Sequence, residues 1–206
     1  MNMAKRSNKN QNMVRLALFL ALEVLLAVTP LGYIHVGLLE ISLLMLPVAV
    51  GGILLGPAAG AFLGGVFGIT SFLQCFGTSL LGEALLAISP LRTFLLCVPT
   101  RVLAGWLPAL LYRTLTRRMP HGVKRMPAMA LSCLLSALLN TLLFMGCLVA
   151  LFGSSEAVGF AASGMGVFAF ILASVGVNAA VELPGVTVLG TVISQALEAV
   201  LNPGQS

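Results

Sequence analysis

The sequence predicts an all-α integral membrane protein: a bundle of six transmembrane helices with both termini on the cytoplasmic side. Three observations predict it. Of the 206 residues, 59% are hydrophobic and only 8% are charged, and the mean hydropathy is +1.06; an ordinary soluble domain carries about 25% charged residues. Apolar stretches approaching the about 20 residues that a bilayer requires recur along the chain, at 13–29, 41–56, 58–77, 93–112, 127–152 and 167–200. Nine of the eleven Lys and Arg lie in two short clusters. That distribution reports topology, so the net charge of +5 does not imply nucleic-acid binding.

Residues 1–12 form a polar, basic tail containing Lys5, Arg6 and Lys9. The first apolar run ends at Thr29-Pro30 and leads into further apolar segments rather than a small-residue cleavage site, so it reads as a retained helix and not a secretory signal. The next two spans come from PVAVGGILLGPAAGAFLGGVFGITSFLQ, Pro47 to Gln74, which holds no charge. Gly60, Gly64 and Gly68 fall four apart on one side of a helix, and such a side lets another backbone approach closely in lipid. Gly56-Pro57 is a turn signal, so these two helices fold back on each other. A basic connection with Arg113, Arg117, Arg118, Lys124 and Arg125 separates the fourth and fifth spans. The last span is too long simply to cross a bilayer; Pro184 kinks it, or its first turns lie in a loop. Residues 201–206 are a short tail, leaving 13–200 as a single membrane domain.

With six spans, both basic clusters and the turn at 56–57 fall on one side. The positive-inside rule makes that side cytoplasmic. Glu40, Glu83, Arg92 and Glu156 fall on the other, where three longer segments, 30–40, 78–92 and 153–166, face outward. Loops of that kind act as lids over a site.

Polar residues inside a bilayer are costly and face protein or a cavity. Helical spacing groups them into stripes: Ser71, Gln74 and Thr78; Thr93, Cys97 and Arg101; Ser132, Ser136 and Asn140; Ser174, Asn178 and Glu182. At about 1.5 Å per residue, Arg101 lies about 12 Å in from the start of its span. Asn140 and Asn178 fall near the midplane, and Glu182 is a turn deeper. Together they sketch a pocket open to the outside. Arg101 reads either as an anchor for an anionic ligand group or as the partner of Glu182 or Glu23. Glu182 is that partner or an acceptor for ligand hydroxyls. Asn140 reads as a ligand contact or an interhelical hydrogen bond, and Gln74 as a ligand contact or a headgroup-level residue. Tyr33 and His35, in the first outer loop, cap the pocket or meet water. Trp106 and Tyr112 suit packing, Arg92 suits the interface, and Glu23 has no assigned role.

The sequence lacks the motifs of several chemistries. There is no G-x-x-x-x-G-K-[ST] phosphate loop and no H-E-x-x-H. The chain has no Asp, which removes a Ser/His/Asp triad. Cys75, Cys97, Cys133 and Cys147 sit in apolar segments without metal-ligand spacing, as core residues do. The expectation is a protein that is not an enzyme and carries no cofactor or metal.

TPLGYI (Thr29 to Ile34) and PVAVGGILLGPAAGAFLGGVFGITS (Pro47 to Ser71), with LLNTLLF (Leu138 to Phe144) and VNAAVE (Val177 to Glu182), resemble the substrate-binding S component of energy-coupling factor (ECF) vitamin transporters, and within it the riboflavin/pantothenate-type branch. The resemblance spans nearly all of 13–200. It implies a six-helix bundle in a bacterial cytoplasmic membrane that binds a vitamin near its outer face. It also implies partners: a transmembrane coupling subunit and two ATPases. An A-x-x-x-A motif in the family's first helix docks the coupling subunit, and Ala17 and Ala21 match it; two alanines four apart give a strip on which a helix packs closely.

The substrate residues then expected are Gln74, Arg101, Asn140, Asn178, Glu182 and Tyr33. Pantothenate is the first substrate expected, because an anion with hydroxyls and an amide suits them. Riboflavin is second, since two Tyr and one Trp offer little aromatic surface. The competing readings are a stand-alone secondary transporter of a small metabolite and a membrane assembly protein without a ligand.

Overall fold

Gly56 sets the centre of the fold. Its φ of 99° is open to glycine and strained for other residues, and it joins two helices with no residue to spare. These are α2 (Met45–Leu55) and α3 (Pro57–Gln74), the latter starting on a proline whose missing N–H costs nothing at that position. The computed structural model describes residues 2–29, 32–36, 39–117, 119, 125–153 and 167–201. In it the chain continues from α1 (Asn2–Val28) through a hairpin of β1 (Tyr33–Val36) and β2 (Leu39–Ser42) into α2 and α3. It then forms α4 (Leu80–Ile88), α5 (Pro90–Thr116), α6 (Met126–Phe152) and α7 (Val167–Leu201). Five of these helices carry a stretch long and apolar enough to cross a membrane: Asn10–Val28, Pro57–Gln74, Pro90–Thr116, Met126–Phe152 and Glu182–Leu201.

Three segments differ from the sequence expectation. The second span was expected from residue 41, but the helix starts at Met45. Leu39-Glu40-Ile41-Ser42 alternates apolar and polar residues, the period of a strand, and pairs antiparallel with β1, Tyr33 opposite Ser42. The 11 residues of α2 reach about 17 Å. Residues 80–88, expected within an outer loop, form α4: the Ser79 hydroxyl accepts from the Gly82 N–H at its start, and Ser89-Pro90 caps the next helix. Finally, α1 begins at Asn2, so most of the tail expected at 1–12 is helical, whereas α7, a 35-residue helix running through Pro184, keeps close to the expected 167–200.

The glycine face of α3 is taken mainly by α5. A Cβ at Gly60 would collide with the carbonyl of Gly105, one at Gly64 with that of Arg101, and one at Gly68 with the backbone of Val98. These pairs run in opposite directions, so α3 and α5 are antiparallel at backbone contact. The joint between α5 and α6 is polar. Pro108 inside α5 has no N–H, so the Ala104 carbonyl four residues back loses its helical donor. Ser136 Oγ of α6 donates to that carbonyl at 3.0 Å, and Ser132 Oγ donates to the Pro108 carbonyl at 2.8 Å. Between α6 and α7, Asn140 meets Glu182, Cys133 packs on Gly190, and Arg125 pairs with Glu198 at 3.1 Å. One core cluster gathers Leu44, Met45, Val48, Leu63, Phe67 and Met129. A second joins Leu85 of α4 to Leu96, Met145, Leu148 and Phe152.

The Gly56-Pro57 turn and Arg113 line one groove, so the turn and the end of α5 lie at the same end of the bundle. The β-hairpin and α4 lie at the other. Helix α1 packs lightly on the outside: of its residues with described side chains, only Glu23 is buried.

Candidate functional site

A cavity of about 90 Å³ lies among α3, α4, α5, α6, α7 and the end of β2. Its walls are the polar stripes, sorted by the packing just described. From α3 come Phe67 and Ser71, with Cys75 at its C-terminal cap; from α5, Thr93, Cys97 and Arg101; from α6, Asn140, Thr141 and Phe144; from α7, Glu182. Ser79, Gly82 and Leu85 close the side nearest α4, and Ser42 ends the hairpin there. Gly64 lies against the Arg101 backbone, and the arginine side chain reaches Phe67, nearly one turn further along α3.

Arg101 is only 8% exposed. Its guanidinium carbon lies 4.2 Å from the centroid of the Phe144 ring and 5.4 Å from that of Phe67, so aromatic faces stabilise the cation. Nη1 donates to the Leu96 carbonyl at 3.3 Å and to Thr100 Oγ1 at 3.2 Å. Nε has no partner. Among the described residues, Arg101 forms no ion pair with Glu182 or Glu23, the two carboxylates the sequence offered it. An unpaired arginine within a membrane span costs about 3 kcal/mol or more, which makes the open edge of this side chain the strongest demand in the cavity.

Glu182 is held instead by Asn140, whose Nδ2 donates to Oε1 at 2.9 Å. A carboxylate only accepts, so the amide NH2 faces it and Asn140 Oδ1 turns away. That oxygen is buried and unpartnered.

The other expected residues fall out differently. Gln74 ends α3, half-buried, and is not among the lining residues; Ser71 on the same helix and Cys75 just after it are. Ser132 and Ser136, which share a face with Asn140, are spent on α5 carbonyls. The side chains of Tyr33 and Asn178 lie outside the described residues. Ala17 and Ala21 are exposed on α1. Glu23 is 0% exposed; its carboxyl lies near the Phe67 backbone, but neither oxygen makes a hydrogen bond of acceptable geometry.

Sequence reasoning missed Phe67 and Phe144. The available signal was spacing: Phe144 is four residues from Asn140, and Phe67 is four from Ser71, each on the polar face of its helix. Among the described residues, no group of three or more His, Cys, Asp or Glu could hold a metal. The arrangement brings a cation with a free edge, an amide oxygen and a carboxylate together in the interior.

Residues 11–194 match the family model described as ECF transporter, substrate-specific component. No curated protein matches the chain significantly.

Proposed function

Because the chain belongs to the substrate-specific components of ECF transporters, a family of transport-related substrate-binding proteins, we propose that it captures a small water-soluble vitamin at the Arg101–Asn140–Glu182 cavity and delivers it for ATP-driven uptake. The observation that carries this reading is the pair of unmet hydrogen-bonding groups, Arg101 Nε and Asn140 Oδ1, from separate helices of one interior chamber. Pantothenate is the first candidate and riboflavin the second, placing the chain in the riboflavin/pantothenate-type branch. Asn178, Tyr33 and Gln74 complete the proposed contacts as the vitamin enters.

In this reading α2 completes six spans, with the hairpin before it, and residues 13–200 form one membrane domain. Both termini and the basic connection face the cytoplasm of a bacterial cell, as the positive-inside rule requires. The cavity then lies toward the outer surface, beneath α4 and the hairpin. A transmembrane coupling subunit docks on Ala17 and Ala21 of α1, where small exposed side chains let its helix approach, and two ATPases power the cycle. The light packing of α1 supports a role at an interface.

The test is equilibrium binding of labelled pantothenate and riboflavin to the purified chain, with mass spectrometry of any co-purified small molecule. Saturable binding of a vitamin is expected. A protein that binds neither and carries no small molecule would end the capture reading.

A further inference from the structure

The donors of Arg101 are divided in a way that constrains the ligand. A guanidinium has five N–H groups in one plane. Those of Nη1 are directed to the Leu96 carbonyl and Thr100 Oγ1. The rings of Phe144 and Phe67 crowd the guanidinium carbon at 4.2 and 5.4 Å. Nε has no partner, and among the described residues Nη2 donates to none. What remains is one edge, with Nε–H and an Nη2–H side by side. That fork matches the two oxygens of a carboxylate. One guanidinium attracts the ligand and one carboxylate, Glu182, repels it across the same cavity, so a phosphate dianion fits worse than a singly charged carboxylate.

The second constraint comes from Asn140. Its NH2 is committed to Glu182 and its oxygen is buried without a donor. Both Asn140 and Arg101 are only 8% exposed, so whatever meets these groups does so inside the cavity. An amide oxygen and a carboxylate side by side call for N–H or O–H groups.

We propose that the ligand is a monocarboxylic acid, gripped edge-on by the Nε–Nη2 side of Arg101, that also carries a hydroxyl or N–H donor for Asn140 Oδ1 and Glu182. This rests on the capture reading above and narrows it: a neutral flavin offers the fork only uncharged carbonyls.

The experiment uses the full chain in lipid nanodiscs with matched probes: pantothenate against panthenol, biotin against its primary amide, and riboflavin alone. Each pair differs at the carboxylate. At least one acid is expected to bind about 100-fold more tightly than its neutral partner, since a site built around a buried charged group rejects the analogue lacking its counterpart. Arg101→Lys, which keeps the charge and loses the fork, is expected to weaken that acid about tenfold or more with an unchanged gel-filtration profile. Asn140→Ala is expected to weaken pantothenate about fivefold or more. Neutral partners binding within threefold of the acids, or riboflavin preferred over both, would overturn the carboxylate assignment while leaving capture intact. Should none of the five bind, the co-purified molecule decides: a carboxylic acid with a donor supports the assignment, a neutral or phosphorylated one refutes it. Complete absence of any ligand ends both readings.

Discussion

The backbone carbonyl of Arg101 occupies the place where a side chain on Gly64 would begin. One helix thus sets the height of the other's cation through the absence of a methyl group.

Gly64→Ala is therefore expected to push α3 from α5. Overpacking of this kind costs about 1–3 kcal/mol, and ligand affinity should fall as Arg101 shifts. Gly65→Ala is the control: its Cβ would meet only the Val102 side chain, at an ordinary 3.5 Å. Thermal unfolding of the purified variants in one detergent compares them. Equal stability of the two would mean that α3 and α5 are farther apart than described.

The Ser136 hydroxyl is tied to the gap made by Pro108. Ser136→Ala should leave the Ala104 carbonyl without a donor. Side-chain hydrogen bonds between membrane helices average about 0.6 kcal/mol and reach about 1.7, and the orphaned carbonyl puts this one at the upper end. Pro108→Ala restores an N–H within the helix, so in that background Ser136→Ala should cost little. A double-mutant cycle on unfolding free energies measures the coupling; additive effects would refute the link.

Glu23 makes no acceptable hydrogen bond where it is buried. Replacing an unsatisfied buried polar group with an apolar one of similar size is neutral or stabilising. Glu23→Leu should leave the melting temperature unchanged or raise it. A loss above about 1 kcal/mol would reveal a partner for the carboxyl.

Ala17→Trp or Ala21→Trp should block vitamin uptake in cells that hold the complete transporter, with binding to the isolated chain within about twofold, because exposed positions away from a site rarely change stability by more than about 0.5 kcal/mol. Loss of binding instead would place α1 in the chamber wall.

Much of this was legible because two periodicities are strong. The four-residue spacing of Gly60, Gly64 and Gly68 announced a backbone contact, and the stripes containing Arg101, Asn140 and Glu182 did point into one cavity. What the pattern could not carry was the identity of the neighbour. Spacing fixes a face, not the helix opposite, so the glycine face meets α5 as well as its hairpin partner, and Glu182 meets Asn140 rather than Arg101. Nor does spacing separate a hydroxyl that faces a ligand from one spent on a carbonyl; Ser136 needed Pro108, 28 positions earlier, to explain it. Helix α4 was missed although Ser79 and Ser89-Pro90 are ordinary capping signals, because its nine residues are too few to cross a bilayer.

Ser132 and Ser136 tie α6 to α5 in one register, since sliding by a turn would strand the Ala104 carbonyl in a dry interior. Arg101 rides on one of these helices and Asn140 on the other. The grip is therefore a single rigid jaw. A cavity of about 90 Å³ has room for several waters and is smaller than a vitamin, so the proposed capture needs a wall other than this jaw to give. Of the helices around the cavity, α4 is the shortest, nine residues held through Gly82 and Leu85.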